Sequence, residues 1–540
     1  MRRMLALLRQ RMRRDGLQLT LWIVGTVLLG ALSYVGVSQT YGTETDRANL
    51  LAAAIANPVI LLFRGLPEGA GTGPFIAFLI VPFLVMLAAF MSTFLAVRHT
   101  RADEELDRAE VIAATPAGRV LPLVATIVHG VLANVVLAIL VAASFAALGL
   151  SVAGSVLVGA ATGSVGVAFF GFALLAAQLV RTSRAANSVA VWAIVITFLI
   201  SGVGNAIGTP SADLQSVQSS WLAWLSPFGW AENTRPYATD NALPLLLTLG
   251  IAVACTAGAF VLQAARDIGG SLLPERRSRA TAGAALGSSF GLVWRLSRGA
   301  VIGWAVGGLV SGLLATRLSD VIAQVSVTIP SVQAIMQALA AGGTLQQGIV
   351  VIFFTMVGIL AACCAVQTVC RARQEEAHGT AEPVLAAVVG RVHWLADYVL
   401  VALVGIVVTI GAGVAGAALG LATLSEPDWS LLGDVIVTGA GQMAAAAVFL
   451  VITALVFVLV PRLTIAVGWT LVVVGTILGL FGSLFGFPQA LVDVSPFAVT
   501  PTVTANAVDL RGLWWLVLAV AVGAAASLTL MRRRELAGAE

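Results

Sequence analysis

The sequence predicts an all-α polytopic membrane protein, with twelve transmembrane helices arranged as two parallel six-helix repeats. Its 540 residues are 59% hydrophobic and only 10% charged, and the mean hydropathy is +0.98. A soluble chain of this length covers its surface with many more charged side chains. Long apolar runs predict the spanning helices, and repeated motifs predict the two repeats.

Twelve apolar runs are long enough to cross a bilayer, which takes about 20 helical residues at about 1.5 Å each. Six runs precede residue 265 and six follow residue 298. The runs are continuous and do not alternate with polar residues, so helices are favoured over the strands of a closed barrel. The predicted spans are 19–38, 75–97, 121–149, 155–180, 186–207, 243–264, 299–317, 346–369, 394–422, 434–460, 463–483 and 512–531.

Three groups of residues recur in the same order, 268 to 272 positions further along the chain. Arg101, Asp103, Glu104, Glu110, Gly118 and Arg119 correspond to Arg373, Glu375, Glu376, Glu382, Gly390 and Arg391. Ser226-Pro227-Phe228 recurs as Ser495-Pro496-Phe497, and Arg266-Asp267-Ile268 recurs as Arg534-Glu535-Leu536. The pattern indicates an internal duplication. Because each half has an even number of spans, both copies are expected in the same orientation about an axis along the membrane normal.

The arginines predict the orientation and the domain limits. Residues 1–18 are rich in arginine and are predicted to form a cytoplasmic, amphipathic interfacial helix. The first half then covers 19–264, a cytoplasmic linker 265–298, and the second half 299–540. Of the 30 arginines, 25 fall on the side of the N-terminus, so the positive-inside rule predicts that both termini are cytoplasmic.

The ionisable residues exclude several kinds of chemistry. Nearly all of the 26 acids lie in loops or at span ends, whereas a proton-driven carrier needs a carboxylate inside the membrane. Asp397 comes nearest, and with His393 and Arg391 it is interpreted as an interfacial charge cluster. His129, deep in the third span, is predicted to make an interhelical hydrogen bond, with a ligand role as the alternative. The four cysteines are predicted to be buried without a disulfide or metal site, and no nucleic-acid partner is expected.

The chain contains no lysine, because all 30 basic residues are arginine. A P-loop uses a lysine to contact the β- and γ-phosphates of its nucleotide, so this chain cannot contain a conventional one. The longest predicted cytoplasmic segment is also too short for an ATPase domain. If ATP drives the protein, we expect ATP and Mg²⁺ to bind a partner subunit, and no cofactor or catalytic residue is predicted here.

The duplicated segment between the second and third spans of each half carries the strongest functional signal. It combines charges of both signs, which suits either a solvated helix at the membrane edge or docking into a charged groove of a partner; the retained acids favour docking. The residues predicted to dock on this partner are Arg101, Glu104, Glu105, Glu110, Arg119, Arg373, Glu375, Glu376, Glu382 and Arg391.

On these motifs the chain resembles the two-copy permease subunits of bacterial ABC exporters, of the tetronasin-resistance type. The resemblance rests on the arginine-rich start, the acidic segments around Glu104 and Glu376, and the aromatic stretches before the last span of each half. It implies that two copies of a separate ABC ATPase dock on the coupling segments and drive export of amphiphilic drugs or antibiotics. The second segment differs, because Ala377, His378 and Gly379 replace Glu105, Leu106 and Asp107, which predicts unequal coupling.

A hydrophobic small-molecule substrate is expected from the apolar spans. Residues predicted to line its path are Phe83, Phe90, Phe198, Asn205, Phe353, Phe354, Met356 and Trp469, although ordinary helix packing explains such residues as well. Trp221, Trp224, Phe228 and Phe497 are predicted to form an extracellular gate, with an interfacial aromatic belt as the alternative.

Two other functional classes remain open at the level of sequence. A proton-coupled secondary multidrug carrier also has six plus six spans, and here it would depend on Asp397. A lipid-translocating or mechanotransmitting ABC permease is the second alternative, although a mechanotransmitter is expected to have large extracellular domains, and the longest outer segments here, 39–74 and 208–242, are short.

Overall fold

A computed structural model of the chain describes residues 2–56, 58–115, 118, 120–267, 269–270, 283, 287–328, 345–387, 389–424, 427–481, 488–504, 507–509 and 511–534. Within these residues, twelve helices are long and apolar enough to cross a membrane. The predicted all-α, multi-pass architecture is therefore confirmed. The contacts within the chain divide it into two compact units, Met1–Arg277 and Ser278–Glu540.

The first unit has six spanning helices. They are α1 (Arg2–Thr40), α4 (Thr72–Arg98), α7 (Val120–Ala147), α8 (Val152–Leu179), α9 (Ser183–Ala206) and α11 (Leu245–Ala265). Short helices connect them: α2 (Glu44–Ala56), α3 (Pro58–Phe63), α5 (Arg101–Glu105), α6 (Arg108–Ala113) and α10 (Pro227–Glu232). Strands β1 (Thr209–Pro210) and β2 (Val217–Gln218) form a small antiparallel pair before α10. The predicted interfacial helix and the first span are one continuous helix, α1.

Helix α8 forms the centre of the first unit and packs against α4, α7 and α11. Its glycines allow this close packing. A Cβ on Gly159 would come within 2.3 Å of the Ala138 carbonyl oxygen on α7, and a Cβ on Gly171 within 2.8 Å of the Ala252 carbonyl oxygen on α11. Small residues at such contacts let helix backbones approach in a membrane, where burial of apolar surface gives little driving force.

The second unit also has six spanning helices. They are α12 (Ser289–Thr328), α13 (Leu345–Ala377), α15 (Arg391–Ala422), α16 (Leu431–Leu459), α17 (Thr464–Thr476) and α19 (Arg511–Met531). Helix α17 continues through one π-helical turn, Ile477–Phe481. The short elements are helices α14 (Glu382–Leu385) and α18 (Gln489–Val492) and the antiparallel strands β3 (Thr502–Thr504) and β4 (Ala507–Asp509).

Helices α12 and α15 of the second unit touch through their backbones. A Cβ on Gly312 would lie 1.9 Å from the Gly413 carbonyl oxygen, and a Cβ on Gly416 would lie 2.0 Å from the Leu309 carbonyl oxygen. Gly416 and its neighbour Gly420 on α15 are buried. The contact therefore depends on the absence of side chains along this stripe.

Two predictions about buried side chains are confirmed. All four cysteines are buried. His129 Nε2 on α7 lies 3.1 Å from Asp15 Oδ2 on α1, which is the expected interhelical hydrogen bond. Of the charge cluster predicted at Asp397, the structure shows a pair with His393, one turn earlier on α15, in which Oδ2 lies 3.8 Å from Nε2; Arg391 donates to the Arg534 carbonyl.

We expect Gly416→Ala to lower the free energy of unfolding by about 1–3 kcal/mol, because the added methyl group forces α12 and α15 apart. The control is Gly411→Ala on the same helix, where a Cβ would meet nothing within 4 Å. That variant should be neutral or more stable by up to about 1 kcal/mol, since alanine favours helix. Thermal unfolding in detergent measures both. Equal stability of the two variants would contradict the packing described here.

Candidate functional site

The predicted coupling segment of the first unit is a bent pair of short helices between α4 and α7. Helix α5 ends at Glu105 and α6 begins at Arg108. Between them Asp107 has a positive φ of 56°, a conformation in which aspartate and asparagine are tolerated better than most residues. The side chains of Leu106, Asp107, Arg108 and Glu110 are exposed. The bend therefore presents a mixed charged and apolar surface to a partner.

A buried ion-pair cluster holds this segment against the spanning helices. Glu104 on α5 accepts hydrogen bonds from Arg101 Nη1 at 2.8 Å, from Arg266 Nη1 at 2.9 Å and from Arg266 Nη2 at 2.5 Å. Arg266, just after α11, also donates from Nε to Gln178 Oε1 on α8 at 2.7 Å. Arg101 donates to the backbone carbonyl of Val180 and, at 2.9 Å, to that of Gly270. We call Arg101, Glu104, Gln178 and Arg266 the first clamp.

The second unit contains the corresponding pair of residues. Arg534, after α19, donates from Nη2 to Glu376 Oε1 at 2.5 Å, and Arg373 Nη1 lies 3.7 Å from Glu376 Oε2. In place of a glutamine contact, the Arg534 guanidinium lies 4.6 Å from the ring centre of Phe457 on α16. Arg391 Nη1 donates to the Arg534 carbonyl at 2.7 Å. We call Arg373, Glu376, Phe457 and Arg534 the second clamp.

The two clamps change the interpretation of the predicted coupling residues. Glu104 and Glu376 bond to arginines of their own unit, so they position the segment and do not present free carboxylates. Their arginine partners after the last spans were visible only as a repeated motif. Glu105 accepts hydrogen bonds from the backbone and side chain of Ser183 at the start of α9. Glu375 pairs with Arg371 at 2.6 Å.

Glu110 and Glu382, which correspond to each other in the two segments, are both exposed. Arg119 lies outside the described residues. The sequence difference at Gly379 has a conformational explanation, because Gly379 occupies the position matched to Asp107 and also has a positive φ, of 71°. Both residues allow the same left-handed turn. The substitution therefore preserves the bend while it removes a charge.

The Ser-Pro-Phe motifs anchor the opposite ends of the units. Ser226 Oγ donates to the Thr197 carbonyl on α9 at 2.7 Å and accepts from Phe228 N–H at 3.1 Å. Ser495 Oγ donates to the Gly475 carbonyl on α17 at 2.7 Å and accepts from Phe497 N–H at 3.3 Å. Each motif therefore makes the same two hydrogen bonds, one to the fifth span of its unit and one within the motif.

The predicted gate residues divide into exposed and buried pairs. Trp221 and Trp224 are exposed, as an interfacial aromatic belt requires. Phe228 is buried with its ring centre 5.6 Å from that of Phe198, and Phe497 stacks on Phe449 at 4.8 Å. The buried pair therefore fixes the outer segments to the bundles.

The predicted path residues differ in their burial. Phe198, Asn205 and Phe354 are buried, Phe83, Phe90, Phe353 and Trp469 are half-buried, and Met356 is exposed. The Arg64 guanidinium lies 5.7 Å from the Phe83 ring centre, and Phe90 stacks on Phe94. A separate cavity of about 70 Å³ lies beside the first clamp. It is lined by His99, Asp103, Glu104, Arg266 and neighbouring residues.

Sequence reasoning missed a buried carboxyl group in the first unit. Glu232 ends α10 in an outer segment, where an acid is expected to be solvated. The structure buries it, and its Oε2 accepts hydrogen bonds from Asn205 Nδ2 at 2.6 Å and Ser201 Oγ at 3.1 Å, both on α9. Burial raises the pKa of Glu232 from 4.5 to about 7, against the opposite effect of these two hydrogen bonds. Burial likewise raises the pKa of nearby Glu68 to about 7, although Arg235 opposes it.

Twelve spanning helices among the described residues, with charged segments clamped to the end of each six-helix unit, define a multi-pass membrane protein. Comparison with known proteins identifies its family. Residues 286–532 match the family model described as the C-terminal domain of the multidrug efflux system permease Rv1217c. The multidrug efflux system permease protein Rv1217c of Mycobacterium tuberculosis (strain ATCC 25618 / H37Rv) is 35% identical over 519 residues, which are 95% of this chain and 91% of that protein. The chain therefore belongs to the Rv1217c family of ABC-type multidrug permeases.

We expect Arg266→Gln to lower the free energy of unfolding of the first unit by about 1.5–3 kcal/mol, the range for hydrogen bonds to charged groups. The substitution removes the bidentate contact to Glu104. Arg108→Gln is the control, because the Arg108 side chain is 51% exposed and its pair with Asp103 spans 3.4 Å; that variant should change stability by no more than about 0.5 kcal/mol. Thermal unfolding in detergent gives both values. If Arg266→Gln were as stable as the wild type, the clamp would have no structural role.

We expect Glu232→Gln to reduce the dependence of stability on pH. Between pH 4.5 and about 7, folded Glu232 keeps its proton while the unfolded side chain loses it. Wild-type stability should therefore fall as pH rises through this window, at up to about 1.4 kcal/mol per unit, and then level off. The neutral amide removes this contribution, and Glu68 retains its own. Unfolding temperatures at pH 5 and 7.5 measure the difference, and identical slopes in the two proteins would contradict the burial of Glu232.

Proposed function

We propose that this protein is the transmembrane subunit of an ATP-driven exporter in the bacterial plasma membrane, with both termini in the cytoplasm. Two copies of a separate ABC ATPase would bind ATP and Mg²⁺ and dock on the two coupling segments. Membership of the Rv1217c family supports the transport role, and the absence of lysine supports a separate ATPase. The observation that carries the proposal is the clamped coupling segment at the end of each unit.

The first clamp explains how a docked ATPase could move the permease. Glu104 is bonded to Arg266 after α11, and Arg266 is bonded to Gln178 on α8. A displacement of α5 therefore acts on the ends of α8 and α11 together, and α5 follows α4 after only two residues. Three spanning helices would then respond to one push. The second clamp offers the same connection between Glu376, on the end of α13, and Arg534, after α19.

The proposed substrates are amphiphilic drugs or antibiotics. The relative is named for multidrug efflux, and the spanning helices of this chain expose large apolar side chains. Within the proposed path, Phe198 and Asn205 contact the outer segment through Phe228 and Glu232. Movement of α9 would therefore also move the outer segment that contains the proposed extracellular gate. The remaining path residues stay part of the proposal.

A proton-coupled carrier is the second candidate, and Glu232 is the observation that favours it. Such a carrier requires a carboxyl group removed from water, and the Glu232 carboxyl group, at the outer end of the bundle, is buried with its pKa raised to about 7. The two candidates differ in what they need. The exporter needs the ATPase. The carrier uses a pH gradient to move the drug in the absence of the ATPase, and this transport should be lost in Glu232→Gln.

Charge reversal on the exposed acids tests the exporter. The permease and an ABC ATPase that co-purifies with it would be reconstituted in liposomes, and ATP-dependent uptake of a fluorescent drug would be measured. We expect Glu110→Arg combined with Glu382→Arg to reduce uptake about tenfold or more, because reversed charges at a docking surface cost several kcal/mol.

The control for this experiment is Glu44→Arg, an exposed acid at the start of α2 in an outer segment. It should leave uptake unchanged, and all three substitutions should leave the unfolding temperature unchanged because the side chains are exposed. Normal ATPase binding and uptake in the doubly reversed protein would show that these segments are not the docking surface.

A further inference from the structure

Two of the four histidines of this chain meet a buried aspartate next to the coupling segment. Asp15 on α1, His99 after α4 and His129 on α7 are each at most 5% exposed. Asp15 Oδ2 is hydrogen-bonded to His99 Nε2 and lies 3.1 Å from His129 Nε2. The three potential ligand atoms all lie within 4.8 Å of one another. The function proposed above uses none of these side chains.

We propose that Asp15, His99 and His129 form a binding site for a divalent transition-metal ion, best suited to Zn²⁺. Two imidazoles and one carboxylate are a common zinc ligand set. Bonds of about 2.0–2.2 Å in a tetrahedral arrangement place ligand atoms about 3.4 Å apart, and Asp15 Oδ2 lies 3.1 Å from His129 Nε2. Asp15 Oδ2 and His99 Nε2 are in direct hydrogen-bond contact and would separate slightly around a metal ion. His99 also lines the 70 Å³ cavity beside the first clamp, which offers the ion a route to the site.

The surrounding charges orient these ligands. Arg98 Nε lies 3.2 Å from Asp15 Oδ1, so the other carboxylate oxygen, Oδ2, faces the two imidazoles. Arg14 Nη1 donates to Asp103 Oδ1 at 2.8 Å, and Asp103 Oδ2 faces His99 Nδ1 at 3.7 Å. Carboxylates that face the distal nitrogen of a metal-bound histidine are a usual outer support of such sites. Each arginine therefore leaves one carboxylate oxygen directed toward a histidine.

The tautomer of His99 decides which of its two ring nitrogens can bind a metal. With its proton on Nε2, His99 donates to Asp15 Oδ2. When Nε2 binds the metal, that proton moves to Nδ1, which for His99 is buried and has no hydrogen-bond partner. The new Nδ1–H then points toward Asp103 on α5. A bound metal would therefore link α1, α4 and α7 to the coupling segment.

Metal binding to the purified full-length chain tests the site. The protein would carry an affinity tag without histidines, be stripped with a chelator and be titrated with Zn²⁺, with bound metal counted by elemental analysis. We expect one Zn²⁺ per chain. His99→Ala, His129→Ala and Asp15→Asn should each weaken binding at least tenfold, and Asp103→Asn about tenfold through loss of the outer support. His378→Ala and His393→Ala, which remove the other two histidines, should bind as the wild type does.

X-ray absorption at the zinc edge of the wild-type protein tests the site even if a variant fails to fold. On the wild-type protein it should show nitrogen and oxygen ligands with two imidazoles and no sulfur. Sulfur ligands would assign the metal to the buried cysteines and overturn the proposal. Absence of saturable binding, or equal binding by the His99 and His378 variants, would show that the three residues form a hydrogen-bonded cluster without a metal.

Discussion

Burial of the Glu104 carboxylate between two arginines is the interaction on which the architecture of the coupling region depends. A carboxylate largely removed from water needs cationic partners and hydrogen bonds to offset its lost hydration. Arg101 comes from the same short helix, but Arg266 follows Glu104 by 162 residues, after the last span of the unit. Pairing of this charge therefore joins α5, after the second span, to the residues that follow the last span of the unit, α11.

The same physical requirement is met with different side chains in the second unit. Arg534 pairs with Glu376 and lies over the Phe457 ring, where Arg266 instead bonds to Gln178. A cation over an aromatic face and a cation on an amide oxygen both satisfy part of a guanidinium. Unequal coupling between the two segments remains our expectation, because Ala377 and Gly379 of the second segment replace the acids Glu105 and Asp107 of the first.

Away from the clamps, small side chains and a few fixed hydrogen bonds organise the bundles. Helices α12 and α15 meet where Gly312 and Gly416 leave the backbones exposed to each other. On the opposite ends, the serine of each Ser-Pro-Phe motif holds an outer segment to the fifth span. In hydrocarbon such contacts replace the apolar driving force that assembles soluble helices. The bundles are therefore held by close packing along their lengths and by polar contacts at their ends.

The sequence was sufficient for features that depend on one segment at a time. Apolar run length predicted the spans to within a few residues in most cases, and the repeated acids marked the coupling segments. It could not show which acids face inward, because Glu104 and Arg266 are brought together only by folding. Glu232 and Asp15 were missed for the same reason: an acid beside a loop or among arginines gives no sign that a distant helix encloses it. The positive φ shared by Asp107 and Gly379 was also missed, because two different residue types occupy the matched positions.

The central claim is that the clamps transmit movement of the coupling segments to the spanning helices. The most direct measurement is the number of drug molecules moved per ATP hydrolysed in liposomes that contain the permease and its ATPase. For Glu104→Gln combined with Glu376→Gln, the account predicts nearly normal ATPase binding and hydrolysis, with a ratio about tenfold lower, a loss of roughly 1.4 kcal/mol of coupling. An unchanged ratio in this variant would contradict the claim.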